Sequence, residues 1–314
     1  LALPVGETQV DGLVWFGEVL GLVAAGYPNW VVQLSLPGPS VWQVQRFGTI
    51  PHPLATAVVR RGLVVAWPDR LGPAGVAVLG EDGSVVRAPG PIPIEGATAL
   101  AIVPAGEHVA VAWVARGEAG PTLHTALLDP VAGELTHGPY DLGPGHAIDL
   151  VGNGEDGFAV LLHTDDGLWL TRLSSLGEPA FAPVRVAGPV DAAAVQGNYY
   201  IEELPVVFSR DGVLTLQRYS RLGVPLGDAV ALGDLAASAI KLLRVDRTYG
   251  LFVVADGVLY GAGASAGVGA WRGPWRPWRG TSASCTPGAA STTTWPGGGA
   301  GVRFLGGPAE APEP

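Results

Sequence analysis

The chain of 314 residues has no methionine, one cysteine and one lysine. The single Cys285 excludes an internal disulfide framework and any cysteine-based metal site, and it leaves the redox compartment open. Lys241 stands against 17 arginines, the mark of a GC-rich, bacterial-type coding sequence. Charged residues amount to only 15% of the chain and the formal charge is −10. With no basic cluster to neutralise phosphates, nucleic acid is an unsuitable partner, whereas cationic or neutral partners suit the balance. A chain that begins at Leu1 without any methionine is expected to be a processed or truncated product, whose signal or anchor is missing.

Catalytic signatures are equally scarce. There is no G-x-S-x-G, no G-x-x-x-x-G-K-[ST], no H-x-x-x-H and no D-x-D-x-D-G. Paired carboxylates occur at Glu81/Asp82, Asp165/Asp166 and Glu202/Glu203. Neighbours in a strand point to opposite faces, so these read as solvated turns rather than a glycosidase pair. No catalytic residue, resident metal or cofactor is expected.

What the chain has in abundance is turn residues, 47 Gly and 28 Pro, spread between apolar runs that bring the hydrophobic share to 48%. Glycines at Gly38, Gly83, Gly133, Gly177, Gly223 and Gly267 recur at intervals of 45, 50, 44, 46 and 44 residues. Each period carries four strand-like segments. A small-residue strand opens it, as in ATAVV (55–59), ATALAIV (97–103) and DAAAV (191–195). A near-continuous apolar strand follows, as in GLVVAWPD (62–69), HVAVAWVA (108–115) and FAVLLHTD (158–165), the pattern of a strand buried on both faces. The third strand alternates, as in LWLTRLSSLG (168–177), and a hairpin glycine leads into an outer strand ending in a Gly/Pro turn.

A unit of four strands in about 45 residues resembles the blade of the β-propeller superfamily, and the resemblance covers residues 1 to about 270. It implies an all-β propeller of six blades, with seven as the alternative, at about 7–52, 53–96, 97–145, 146–190, 191–235 and 236–280. Residues 1–6 resemble an outer strand that would close the ring. No finer family is implied. WPD at 67–69 lacks the recurrence and the G-H partner of WD repeats, and SRDGVLTL (209–216) lacks the later positions of a sialidase-type Asp-box.

The apolar stretch 12–32 raises a membrane span, but Glu18, Pro28, Asn29 and its fit to the repeat assign it to two buried strands. Residues 281–314 are expected to form an irregular tail. From about residue 271 the repeat breaks, and WRGPWRPWRG (271–280) carries Trp-Arg pairs. Three readings stay open there: a cation–π binding segment, an ordinary tail, or a misread frame. Read one base earlier, each pair decodes to Leu, Val or Met followed by Ala, much like the outer strand of the preceding repeat.

Loops after the second and fourth strands share one face of such a ring, the face where rigid scaffolds present variable residues. Aligning second strands superposes Tyr27, Trp67, Trp113, His163, Ser209 and Val254. Two positions later come Asn29, Asp69, Asp165, Asp211 and Asp256. Tyr27, Trp67 and Trp113 are expected to offer an arc of stacking surfaces, and the acidic positions to combine turn chemistry with ligand contact. The junctions between repeats add His52, Glu95, His146, Asp191 and Asp234. The expected ligand-binding set is therefore Tyr27, Trp67, Trp113, His163, Asp69, Asp165, His52, His146, Asp191 and Asp234. Its expected role is non-catalytic recognition of a protein, peptide or glycan. A polysaccharide hydrolase or lyase using His52, His146, Asp191 or Asp234, and a structural subunit of a surface assembly, are the alternatives. Placement is expected to be extracytoplasmic: secreted, periplasmic or at the surface.

Overall fold

The computed structural model describes residues 9–16, 19–25, 30–35, 43–46, 54–80, 84–117, 120–152, 157–196, 203–245, 248–265 and 276–277. The described strands form six four-stranded antiparallel sheets, each a sequential meander. The first holds β1 (Gln9–Phe16), β2 (Val19–Ala25), β3 (Trp30–Ser35) and β4 (Gln43–Arg46). The second holds β5 (Ala55–Val59), β6 (Gly62–Trp67), β7 (Pro73–Leu79) and β8 (Val85–Glu95). In the third are β9 (Ala97–Ala105), β10 (His108–Gly117), β11 (Gly120–Asp129) and β12 (Glu134–Pro144). The fourth comprises β13 (Ala147–Gly152), β14 (Phe158–Thr164), β15 (Gly167–Leu173) and β16 (Val184–Ala187). Then come β17 (Ala192–Val195), β18 (Glu203–Arg210), β19 (Val213–Ser220) and β20 (Val230–Asp234). The last sheet has β21 (Ala237–Val245), β22 (Thr248–Ala255), β23 (Val258–Ser265) and the two-residue β24 (Arg276–Pro277).

The stretch 12–32 is thus shared by three strands, β1, β2 and β3, rather than two. No helix among the described residues is long and apolar enough to cross a membrane. The expected closing strand at residues 1–6 and the expected tail 281–314 lie outside the described residues. Of the Trp/Arg segment, only Arg276 and Pro277 are described, paired with Gly261 and Tyr260.

Successive sheets pack face to face, their first strands lying side by side in chain order from β1 to β21. Four hydrophobic clusters occupy the spaces between neighbouring sheets from the second to the sixth. Second strands serve two clusters at once: Val109, Val111 and Trp113 of β10 face the second sheet, while Ala110, Ala112 and Val114 face the fourth. That two-sided burial is why second strands read as unbroken apolar runs. Fourth strands are the exposed ones, β12 above all.

Of the recurring glycines, Gly38, Gly83 and Gly267 lie outside the described residues, and the other three share a physical role. Gly133, Gly177 and Gly223 take φ of 74°, 81° and 75°, left-handed values that a Cβ disfavours. Each also abuts the preceding sheet. A Cβ on Gly223 would lie 2.6 Å from the Phe181 ring, and one on Gly133 would lie 2.2 Å from Arg87 Nη2. Serine secures two of these hairpins: Ser174 Oγ accepts from the Leu176 and Glu178 amides, and Ser220 Oγ from those of Leu222 and Val224.

Candidate ligand-binding cleft

The site forms where the third sheet hands the chain to the fourth. Gly145 N donates to the Pro121 carbonyl at 3.1 Å, and His146 N donates to the His163 carbonyl at 2.9 Å. The crossover is thereby tied to both sheets within two residues. Glycine suits 145, because a Cβ there would stand 2.3 Å from Leu123 Cδ1 and 3.0 Å from the His163 carbonyl oxygen, so a larger residue would have to displace the buried leucine. His146 is therefore held in place by backbone, and its half-exposed imidazole projects into the cleft.

Around it are two contiguous depressions. One, of about 230 Å³, is lined by His146, His163, Thr164, Asp165, Gly167, Pro189 and Val190. The other, of about 290 Å³, is lined by Thr98, Val114, Arg116, Pro121 and His146. His146 belongs to both. The second depression exists because the β10–β11 hairpin runs on to the Gly117–Gly120 pair and walls the groove.

Asp165 sits at the tip of the β14–β15 hairpin, fully exposed, with Oδ1 3.4 Å from His146 Nδ1. Its neighbours fix that tip. Thr164 Oγ1 is hydrogen-bonded to Asp166 and reaches the Gly167 carbonyl at 3.0 Å. Trp169 Nε1 donates to Thr164 Oγ1 at 3.1 Å and to Asp166 Oδ1 at 3.2 Å, and Arg185 Nη2 donates to the Asp166 carbonyl at 2.7 Å. The hydrogen bonds from Thr164 and Trp169 hold the Asp166 carboxyl below its ordinary range. A Cβ on Gly167 would lie 2.2 Å from the Ala187 carbonyl oxygen, so the hairpin packs directly on β16.

His163 forms the partly buried inner wall. Burial pushes its pKa below the ordinary 6.5; the Asp149 carboxylate opposes the shift and His146 adds to it. At neutral pH this imidazole is uncharged, with one ring nitrogen free to accept and the other to donate.

The cleft brings together three of the expected residues, His146, His163 and Asp165. Asp191 adjoins it, exposed beyond Val190, its amide bonded to the Ser209 carbonyl at 2.9 Å. Asp234 is exposed at the end of β20, paired with Val213 at the next junction. Asp69 serves its turn, Oδ1 accepting from the Leu71 amide at 2.9 Å and the Gly72 amide at 3.2 Å. Tyr27 and His52 lie outside the described residues.

The expected arc of aromatic surfaces is broken at Trp113. Its side chain is 5% exposed, packs between the second and third sheets and stacks on His124 with ring centroids 5.4 Å apart. Trp67 is partly exposed and lies against Gly75, where a Cβ would stand 2.2 Å from the indole. Ser209, aligned with these, is buried; its hydroxyl donates to the Leu235 carbonyl at 3.3 Å and accepts from the Ala237 amide at 3.0 Å. Sequence reasoning did not find Arg116, Thr98, Thr164 or Pro121. Arg116 had one available signal, a second strand longer than its counterparts.

Among the described residues, no three His, Cys, Asp or Glu side chains gather as a metal-binding group would. No protein-family model and no curated protein sequence matches the chain. Solved structures do match. Prolyl oligopeptidase B from Galerina marginata, in its apo form, is 10% identical over 82% of this chain with a TM-score of 0.54, and the chain spans about 40% of its length. The Cps50 (Swd1) β-propeller domain from Myceliophteria thermophila is 15% identical over 82% of this chain and 83% of that one, with a TM-score of 0.53. At such identities the likeness concerns the fold alone. Together with the six meander sheets of the described residues, it gives this chain a β-propeller fold.

Proposed function

We propose that the chain is a non-catalytic binding module that engages a peptide segment, presented alone or on a protein, in the cleft around His146. The observation carrying this reading is the clamping of His146 between two sheets while Asp165 is fixed on an adjacent braced hairpin. A backbone held this way loses little freedom on binding and presents both side chains from fixed points, so contacts convert to affinity efficiently. A groove that is polar on the His163 side and more apolar on the Arg116 side, with ends that differ in charge, suits a peptide's mixed groups better than it suits a wholly apolar small molecule.

Panning a random peptide display library on the intact chain, alongside its His146→Ala and Asp165→Ala variants, tests the reading. Peptides retained by the parent and lost by both variants, at unchanged denaturation midpoints, are the expected result. Peptides or arrayed glycans held equally by all three proteins would overturn it.

A further inference from the structure

From the charges at the two ends of the cleft, we infer that the groove reads an extended peptide by polarity, seating an acidic side chain at Arg116 and a basic side chain at Asp165. This rests on the reading of the His146 cleft as the binding site. Arg116 lines one depression, Asp165 lines the other, and His146 is the wall between them. Both end residues are exposed, so neither charge carries a large desolvation cost before a ligand arrives. Arg116 presents a forked guanidinium suited to a carboxylate. Asp165 faces His146 Nδ1 at 3.4 Å, a separation beyond a good hydrogen bond, so a ligand ammonium or guanidinium can take that carboxylate over.

Between the ends the groove offers what a peptide backbone needs. His163 is neutral and carries one donor and one acceptor, and the His146 imidazole adds a second such pair when uncharged. Pro121, Pro189 and Val190 supply apolar edges for the side chains between the two charged positions. A neutral glycan would leave both end charges unmatched. A peptide with like charges would meet repulsion at one end. Opposite charges separated by a short spacer satisfy both, and because the ends differ, only one order of acid and base along the chain fits a given strand direction.

The test uses the intact chain and arrays of short N-acetylated, C-amidated peptides carrying one Glu and one Arg in either order around neutral spacers. Peptides with a single charge, or none, serve as references. The parent is expected to prefer one order. Arg116→Gln and Asp165→Asn are each expected to weaken that order by about threefold, the scale of a solvent-exposed ion pair. The decisive variant is the charge exchange R116E/D165R, which is expected to reverse the preferred order while leaving the denaturation midpoint unchanged. Binding that depends on His146 but shows no order preference, or keeps it in the exchanged variant, would overturn the polarity reading and leave the binding site standing. Binding indifferent to His146 as well would remove both.

Discussion

Replacing the three hairpin glycines one at a time by alanine separates the two reasons for their recurrence. All three share nearly the same left-handed φ, between 74° and 81°, so each alanine carries a backbone penalty of about 1–2 kcal/mol. Their surroundings differ. At Gly177 the nearest atom to a new Cβ is the Ala126 carbonyl carbon at 3.4 Å, an ordinary contact, so the backbone penalty is the whole effect. At Gly133 the obstacle is the Arg87 guanidinium, the far end of a long side chain. It can swing aside at the loss of its 2.7 Å bond from Nη1 to the Val131 carbonyl, adding about 1 kcal/mol. At Gly223 the obstacle is the half-buried Phe181 ring at 2.6 Å, a rigid group with less room to swing than a guanidinium, and the overpacking adds about 1–3 kcal/mol. Urea denaturation is therefore expected to rank the losses Gly223→Ala above Gly133→Ala above Gly177→Ala. In a Phe181→Ala background the Gly223→Ala loss should fall to that of Gly177→Ala, a coupling visible only if the ring is the cause. Equal losses at all three positions, or no coupling to Phe181, would refute the claim that the glycines recur because sheets must meet there.

Other outcomes follow from single contacts. Ser209→Ala strands the buried Ala237 amide and is expected to destabilise by about 1–3 kcal/mol, with hydrogen exchange in β21 accelerating ahead of the rest. Trp113→Ala opens a cavity between the second and third sheets and is expected to destabilise by about 3–5 kcal/mol in denaturation, whereas a surface platform would tolerate the change. His163 has a folded pKa below its ordinary 6.5, so the unfolded chain takes up a proton first as pH falls; its stabilising contribution is present above about 6.5 and is lost from there down through the folded value. His163→Gln is expected to flatten that part of the stability–pH curve, measured by denaturation midpoints, and an unchanged curve would show that His163 does not carry the linkage.

The fold was legible because its constraints repeat. A strand squeezed between two sheets must be apolar through its middle, and β6, β10, β14 and β18 all obey there, with polar residues such as His108, Thr164 and Arg210 kept to their ends, so the pattern survives in the sequence. Asp211–Gly212 and Asp256–Gly257, with φ of 53°, 78°, 50° and 72°, are two-residue hairpin turns that the Asp-Gly pair announces by itself. The aligned register also located His163 and Ser209 at equivalent places, since each carbonyl accepts from the junction entering its own sheet, His146 in one case and Asp191 in the other. What the register could not say is what fills the space beside such a position. Trp113 and His163 align, yet the longer β10–β11 hairpin covers Trp113 with His124 and the shorter β14–β15 hairpin leaves His163 beside open space.

The same difference in hairpin length explains why the cleft is where it is. A tall third-sheet hairpin next to a short fourth-sheet hairpin leaves a step, and the crossover through Gly145 and His146 runs along its foot. The tall side places Arg116 and the short side places Asp165, so the opposed charges at the two ends come from one geometric mismatch between neighbouring repeats. A repeat protein acquires a site where its repeats stop being equal, because identical neighbours would tile the loop face with the same shallow turns. Gly145 keeps to the repeat, since Gly96 bonds back to the Gly72 carbonyl at the preceding junction as Gly145 does to Pro121, so the departure is the extension ending at Gly117 and Gly120, which places Arg116 beside His146. Shortening the β10–β11 hairpin to the length of β14–β15 should remove the step, and with it binding at His146, while leaving the interleaved cores between sheets intact.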